Sequence, residues 1–156
     1  MPCEIRFATM TELESWMALV DLLRPLFPGL ETREKMDGYR QTVVKNINRR
    51  TALCAVDGGR VVGFLLFSTK YNLLCHLGVH PAYRRQGLAA GLIARMLPHL
   101  DRSREISVVT YREEDEKGPA PRALYRKLGF EPAELCFELG YPEQKFILRP
   151  KAAEAH

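Results

Sequence analysis

Apolar positions recur along this chain with two periods, and each change of period marks an element. Glu4 to Ala8 predicts a short strand. Thr11 with Glu14 predicts a capping box, after which Leu13, Trp16, Met17, Val20 and Leu23 follow helical spacing until Pro25 and Pro28-Gly29. A second helix is expected from about Arg33 to Asn48, with a weaker apolar face of Met36, Tyr39, Val43 and Ile47. Ala52 to Val56 and Val61 to Phe67 flank Asp57-Gly58-Gly59, a hairpin signal, and Leu73 to Val79 predicts another strand. After Gly87 the stripe Leu88, Leu92, Ile93, Met96 and Leu100 predicts a helix packed on a sheet, followed by a strand from Ile106 to Tyr111. The polar stretch from Arg112 to Pro119 is a loop, and Pro121 to Leu128 is a helix closed by Gly129. Leu135 to Leu139 and Lys145 to Leu148, around Gly140-Tyr141-Pro142, complete a last hairpin. The order βααβββαβαββ predicts an α/β fold of the α+β type: a mixed central sheet of about six to seven strands with helices on both faces.

Composition narrows this picture. The chain of 156 residues suits one domain, 1–150, with a short tail at 151–156. No apolar run of spanning length and no export signal is present, so the expectation is a cytoplasmic protein without a membrane partner. Cys3, Cys54, Cys75 and Cys136 lie far apart without metal-ligand spacing, predicting reduced thiols, mostly in the core, and no metal. A net charge of +4 could signal nucleic acid, yet the basic residues are dispersed among acids such as Glu113-Glu114-Asp115-Glu116. One anion pocket accounts for the charge equally well, and no nucleic-acid partner is expected.

The chemistry concentrates in Arg84-Arg85-Gln86-Gly87-Leu88-Ala89, between an apolar strand and a helix. The first N–H groups of a helix have no partner within it, and its dipole places partial positive charge there. Gly87 removes a side chain that would hold a diphosphate away, and Arg84 and Arg85 add bidentate donors. Alone, the run is equally compatible with an ordinary basic turn. A P-loop is excluded because Leu92 and Ile93 follow Gly91, and a dinucleotide fingerprint is excluded by Ala89 and Leu92.

Three motifs in matching order change the balance. Leu77-Gly78-Val79-His80-Pro81 resembles the fourth strand of the GNAT superfamily of N-acetyltransferases, which use acetyl-coenzyme A. Arg84-Arg85-Gln86-Gly87-Leu88-Ala89 resembles its pyrophosphate motif R/Q-x-x-G-x-G/A. Ala123-Leu124-Tyr125-Arg126-Lys127-Leu128-Gly129-Phe130 resembles its late helix A-x-x-Y-x-x-x-G-F. The resemblance covers nearly the whole chain in element order. It implies acetyl-coenzyme A as co-substrate, with its diphosphate on Arg84, Arg85, Gln86, Gly87, Leu88, Ala89 and Ala90. The pantetheine arm would lie along the main chain of Val79 and Leu77 as an added strand does, beside a bulge that Gly78 would suit.

The resemblance further implies that Tyr125 protonates the departing thiolate. Helical geometry sets Tyr125 ~100° round from Leu124, away from the stripe expected at Leu124 and Leu128. With ordinary pKa values of ~10 and ~8.5, that transfer is uphill by only ~2 kcal/mol. The acceptor is expected to be a primary amine on a small molecule or peptide, attacking the thioester directly. His76 and His80 lie near the expected thioester, but no base is assigned, and Glu113, Glu114 and Asp115 are expected in a solvated loop. Cys75 and His76, as successive strand residues, should face opposite ways, which disfavours a covalent route. Gly118 stands where many family members carry Asn, removing one cofactor contact. A homodimer is an expectation of the family only. The rival from another class is a non-catalytic acyl-coenzyme A binding or sensing module.

Overall fold

The computed structural model describes residues 3–150, so the expected tail at 151–156 lies outside the described residues. Strands β1 (Glu4–Phe7), β2 (Ala52–Asp57), β3 (Arg60–Ser68), β4 (Leu73–Val79), β5 (Ile106–Tyr111), β6 (Glu131–Glu138) and β7 (Tyr141–Leu148) form one sheet. Its spatial order is β1-β2-β3-β4-β5-β7-β6. Helices α1 (Leu13–Leu23), α2 (Arg33–Arg49), α3 (Leu88–Met96) and α4 (Pro119–Lys127) complete the expected order βααβββαβαββ. The α/β fold, with its mixed sheet covered on both faces, is the one the hydrophobic pattern predicts.

Alternation along the central strands builds two cores. Cys54, Val56, Phe64 and Leu66 face Trp16, Val20 and Val43 of α1 and α2. Leu53, Leu65, Ile106 and Val108 face Leu92, Ile93 and Met96 of α3, with Tyr125 and Phe146 in the same cluster. Full burial of each large aliphatic side chain contributes ~1.5–3 kcal/mol, so these stripes dominate the stability of the layers. Adjacent strands pair antiparallel except β4 and β5, which run parallel and pair only at Leu73 and Ser107. Beyond that single pair the two strands splay apart.

Several boundaries differ from expectation. The capping box is Thr9 with Glu12, two residues earlier than expected, because Glu12 is also held by Arg6 of β1 at 2.8 Å. Glu14 instead accepts from Arg40 of α2. Helix α4 starts at Pro119, since prolines in the first turn lack only N–H groups that would have no partner there. β6 begins at Glu131 and includes Pro132, which an edge strand tolerates beside a register shift. β7 begins at Tyr141 rather than Lys145, which brings Glu143 into the sheet opposite Tyr111. The four cysteines are free thiols, but only Cys54 is buried, so the expectation of mostly core thiols is overturned.

Candidate functional site

The basic turn is a row of vacant donors. Arg85 and Gly87 both have positive φ, at 65° and 75°, which turns the main chain sharply into α3. The first helical bond runs from Gly91 N–H to the Gly87 carbonyl. Among the described residues, no main-chain acceptor meets the N–H groups from Arg85 to Ala90. A Cβ at Gly87 would meet no protein atom within 4 Å, so the turn borders open space at this point. The turn is held from behind. His80 caps the short helical turn at Pro81–Tyr83 by accepting from Ala82 N–H, and Tyr83 donates to Asp57. Arg84 and Arg85 are exposed and form no ion pair among the described residues. Donors, dipole and uncommitted guanidinium groups together fit a diphosphate.

β4 leads away from this turn with one edge open. His80 N–H donates to the Val62 carbonyl, and β3 pairs Gly78 with Phe64 and His76 with Leu66. In an antiparallel ladder these bonds fall on alternate residues. The N–H and C=O groups of Leu77 and Val79 therefore point away from β3, into the gap left by β5.

A bulge lies further along this strand. Leu66 opposes His76 and Phe67 opposes Leu74, so Cys75 is the extra residue. Leu74 packs in the α3-side core, yet His76, two residues on, meets Phe27 and Phe64 on the opposite side. The extra residue has inverted the alternation. Gly78 is not the site of distortion. Its role is close packing, since a Cβ there would lie 2.7 Å from the Phe64 ring and 3.0 Å from Leu23.

The splayed strands open onto a cleft of about 520 Å³ between α2, the α1–α2 loop and the β6–β7 turn. Phe27, Leu30 and Leu139 supply apolar walls, while Tyr39, His76, Glu138 and Glu143 supply polar groups. Glu143 is only 8% exposed, and no hydrogen bond to its carboxylate occurs among the described residues. Burial, then the charges of Glu138 and Asp115, raise its pKa from 4.5 to about 7. His76 shows the opposite shift: enclosure by aromatic rings lowers it to about 4. Sequence reading missed both Glu138 and Glu143. The acids it did single out do not line the cleft: Glu113 and Glu114 are exposed, and Asp115 accepts from Tyr141 Oη at 2.5 Å and Lys117 N–H at 2.9 Å.

Tyr125 lies on the buried stripe of α4, not beside it. Its side chain is 5% exposed and packs against Phe130 and Phe146, whereas Leu124 and Leu128 are only half-buried. The expected stripe was misplaced because Arg122 also turns inward, donating to the Tyr111 carbonyl and Gln144. The Tyr125 hydroxyl has no partner, but no described buried polar atom is sealed without one, so this oxygen keeps contact with solvent. Burial and the Glu143 charge raise its pKa above the ordinary value.

Cys75 and His76 both line the cleft, so strand alternation does not separate them. Chemistry does. Poor hydration, then the charge of Glu138, push the Cys75 thiol up to about 11, and His76 Nδ1 is occupied by Tyr39 at 2.8 Å. Gly118 closes a tight turn in which a Cβ would lie 2.8 Å from the Arg112 carbonyl. The Asn found there in many family members could not follow this path.

A family model described as an acetyltransferase (GNAT) domain matches residues 48–132. This segment spans β2 through α4, and so includes the donor row, the open edge of β4 and Tyr125. The chain belongs to the GNAT family: it is an N-acetyltransferase with acetyl-coenzyme A as co-substrate. Among solved structures, it is similar to a GNAT-family acetyltransferase from Bacillus cereus ATCC 10987 at 20% identity and a TM-score of 0.72, over 96% of this chain and 99% of that one. An N-acetyltransferase from Staphylococcus aureus Mu50 gives 16% identity and 0.73, over 97% and 100%. The PaiA N-acetyltransferase from Thermoplasma acidophilum, in complex with coenzyme A, gives 15% and 0.65, over 93% and 98%. At these identities the likeness shows the fold. A search of curated proteins finds no match.

Proposed function

We propose that this acetyltransferase moves the acetyl group of acetyl-coenzyme A onto a primary amine held in the cleft, by direct attack, with Tyr125 as general acid. One observation carries the reading: the row of free N–H groups adjoins one end of β4, whose edge toward β5 is unpaired beyond Leu73, and the Leu73–His76 end of the same strand lines the cleft. Arg84, Arg85 and the N–H groups of Arg85 to Ala90 hold the diphosphate. Leu77 and Val79 pair with the pantetheine arm, which directs the thioester toward the bulge at Cys75.

The acceptor arrives as an ammonium ion and must lose a proton before its nitrogen can attack, costing ~4.6 kcal/mol at pH 7 for an ordinary amine. Glu138 and Glu143 attract the cation, and Glu143 is poised near neutrality to take that proton. The N–C bond then forms as the C–S bond breaks, and the thiolate takes the Tyr125 proton. Burial makes Tyr125 a weaker acid than free tyrosine, but the same enclosure also disfavours the thiolate, so the two shifts oppose each other. Four free thiols suit a reducing compartment, and the cytoplasm is the setting we propose. No helix among the described residues is long and apolar enough to cross a membrane.

Incubation with acetyl-coenzyme A and a panel of primary amines is expected to release free thiol. Tyr125→Phe should retain coenzyme A binding and lose turnover by ~100-fold or more, the usual range for a general acid. Unchanged turnover would remove Tyr125 from the role. Tight coenzyme A binding with no transfer to any amine or peptide would leave a non-catalytic binding module as the better reading.

A further inference from the structure

His76 sits at the end of a directed chain of hydrogen bonds. Trp16 Nε1 lies 3.2 Å from Tyr39 Oη, and Tyr39 Oη lies 2.8 Å from His76 Nδ1. The indole N–H can only donate, so Tyr39 accepts from it. If Nδ1 also donated to Tyr39, the phenol hydrogen would have no recipient in an enclosed site, which is costly. The satisfied arrangement has Tyr39 donating to Nδ1, which places the imidazole proton on Nε2. Packing holds the ring in place, with Phe27, Phe64 and Tyr39 centroids at 4.1, 5.1 and 5.2 Å. No other hydrogen bond reaches the ring among the described residues, and Nε2 is not sealed from solvent. The open volume that His76 lines is the cleft.

We propose that His76 is a fixed hydrogen-bond donor in the acceptor cleft, locked as the Nε2–H tautomer by Trp16 and Tyr39, and that it recognises a carbonyl oxygen on the amine substrate. The inference rests on the reading of the cleft as an amine site. Glu138 and Glu143 can accept from an ammonium group, which has only donors to offer and so cannot itself satisfy the His76 N–H. A plain alkylamine leaves that N–H facing apolar substrate, whereas an α-amino amide or a peptide N-terminus presents an oxygen beside its nitrogen. Sites built around one polar contact discriminate through the group left unpaired. His76 is thereby a specificity residue rather than the base.

The test pairs two amines of nearly equal size, glycinamide and n-propylamine, with ¹⁵N NMR of the histidine rings in the free enzyme. His76 should show the Nε2–H tautomer at pH 7, and Tyr39→Phe should release it into a mixture. His76→Leu should lower kcat/KM for glycinamide about three- to tenfold, the range for one neutral hydrogen bond, mostly through KM. The same variant should not lower kcat/KM for n-propylamine, because it removes the N–H that this amine leaves unpaired, so the preference for glycinamide should shrink; His76→Gln, which keeps an N–H donor, should restore most of that preference. An Nδ1–H tautomer, an imidazolium at pH 7, or equal losses on both amines would overturn the proposal while leaving amine transfer intact. Absence of transfer to either amine would overturn the underlying amine reading and carbonyl recognition with it, while the tautomer would still be read independently.

Discussion

Glu143 and His76 face one cleft yet are driven in opposite directions, which separates their chemistry. Glu143 rises to about 7 because its carboxylate is enclosed near Glu138 and Asp115. Between its unfolded value near 4.5 and about 7, the folded state binds one more proton than the unfolded chain, so stability falls as pH rises. Glu143→Gln should therefore stabilise the protein at pH 8, on the order of 2 kcal/mol, and change it little at pH 4. Thermal denaturation across that range checks the sign. The same variant should lose most turnover at pH 7.5, and the wild-type rate should climb through about pH 7. A flat pH–rate profile would remove Glu143 as the proton acceptor. His76 contributes the opposite slope, because a neutral imidazole with its value lowered to about 4 loses stability on acidification below 6.5.

Two elements, the turn before α3 and the bulged β4, convert residue types into a site. The turn works because Gly87 adopts a φ of 75° that L side chains rarely adopt, with open space before its Cα. Gly87→Ala is expected to cost ~1 kcal/mol in folding stability and to weaken coenzyme A binding about tenfold or more, because its methyl would enter open space beside the turn proposed to hold the diphosphate. Calorimetric titration with coenzyme A measures this directly, and unaltered affinity would place the diphosphate elsewhere. β4 was legible as a strand to the residue, Leu73–Val79, but the place of its bulge, expected at Gly78 and found at Cys75, was not. Nothing in Leu74-Cys75-His76-Leu77 announces an extra residue, since a bulge is set by the partner strand's register. That register turns His76 toward the cleft.

At the scale of the whole molecule, the sheet is two halves joined by little main-chain pairing. β1–β4 and β5–β7 share only the Leu73–Ser107 pair. The α1–α2 loop bridges the halves over the cleft: Tyr111 donates to the Leu26 carbonyl, Lys117 Nζ to the Pro25 carbonyl at 3.3 Å, and Gly29 lies against Leu139. Coenzyme A laid along β4 would fill the gap between the halves. At a concentration 100-fold above its dissociation constant it should add ~2.7 kcal/mol, raising Tm by ~5–10 °C for a domain of this size. Hydrogen exchange should slow at the N–H groups of Gln86 to Ala90 and at Leu77 and Val79 together. Protection confined to the turn would show that the arm does not follow β4.

The sequence alone determined the element order, the packed faces of α1 and α3, the donor row before α3 and the family to which they point. These properties rest on local periods and on motifs of a few adjacent residues, where backbone geometry leaves little freedom. Tertiary structure decided what the motif could not. Tyr125 is buried because Phe146 of β7 and Phe130 pack against it; Glu143 joins the sheet because β7 extends through Pro142; His76 faces the cleft because β3 imposes a bulge on β4. Each outcome depends on contact between segments distant in the chain, and the proposed acceptor cleft is lined by residues that such contacts bring together. The turn proposed to hold the diphosphate was therefore visible in one stretch of sequence, while the cleft proposed for the acceptor emerged only when α2, β4, β6 and β7 came together.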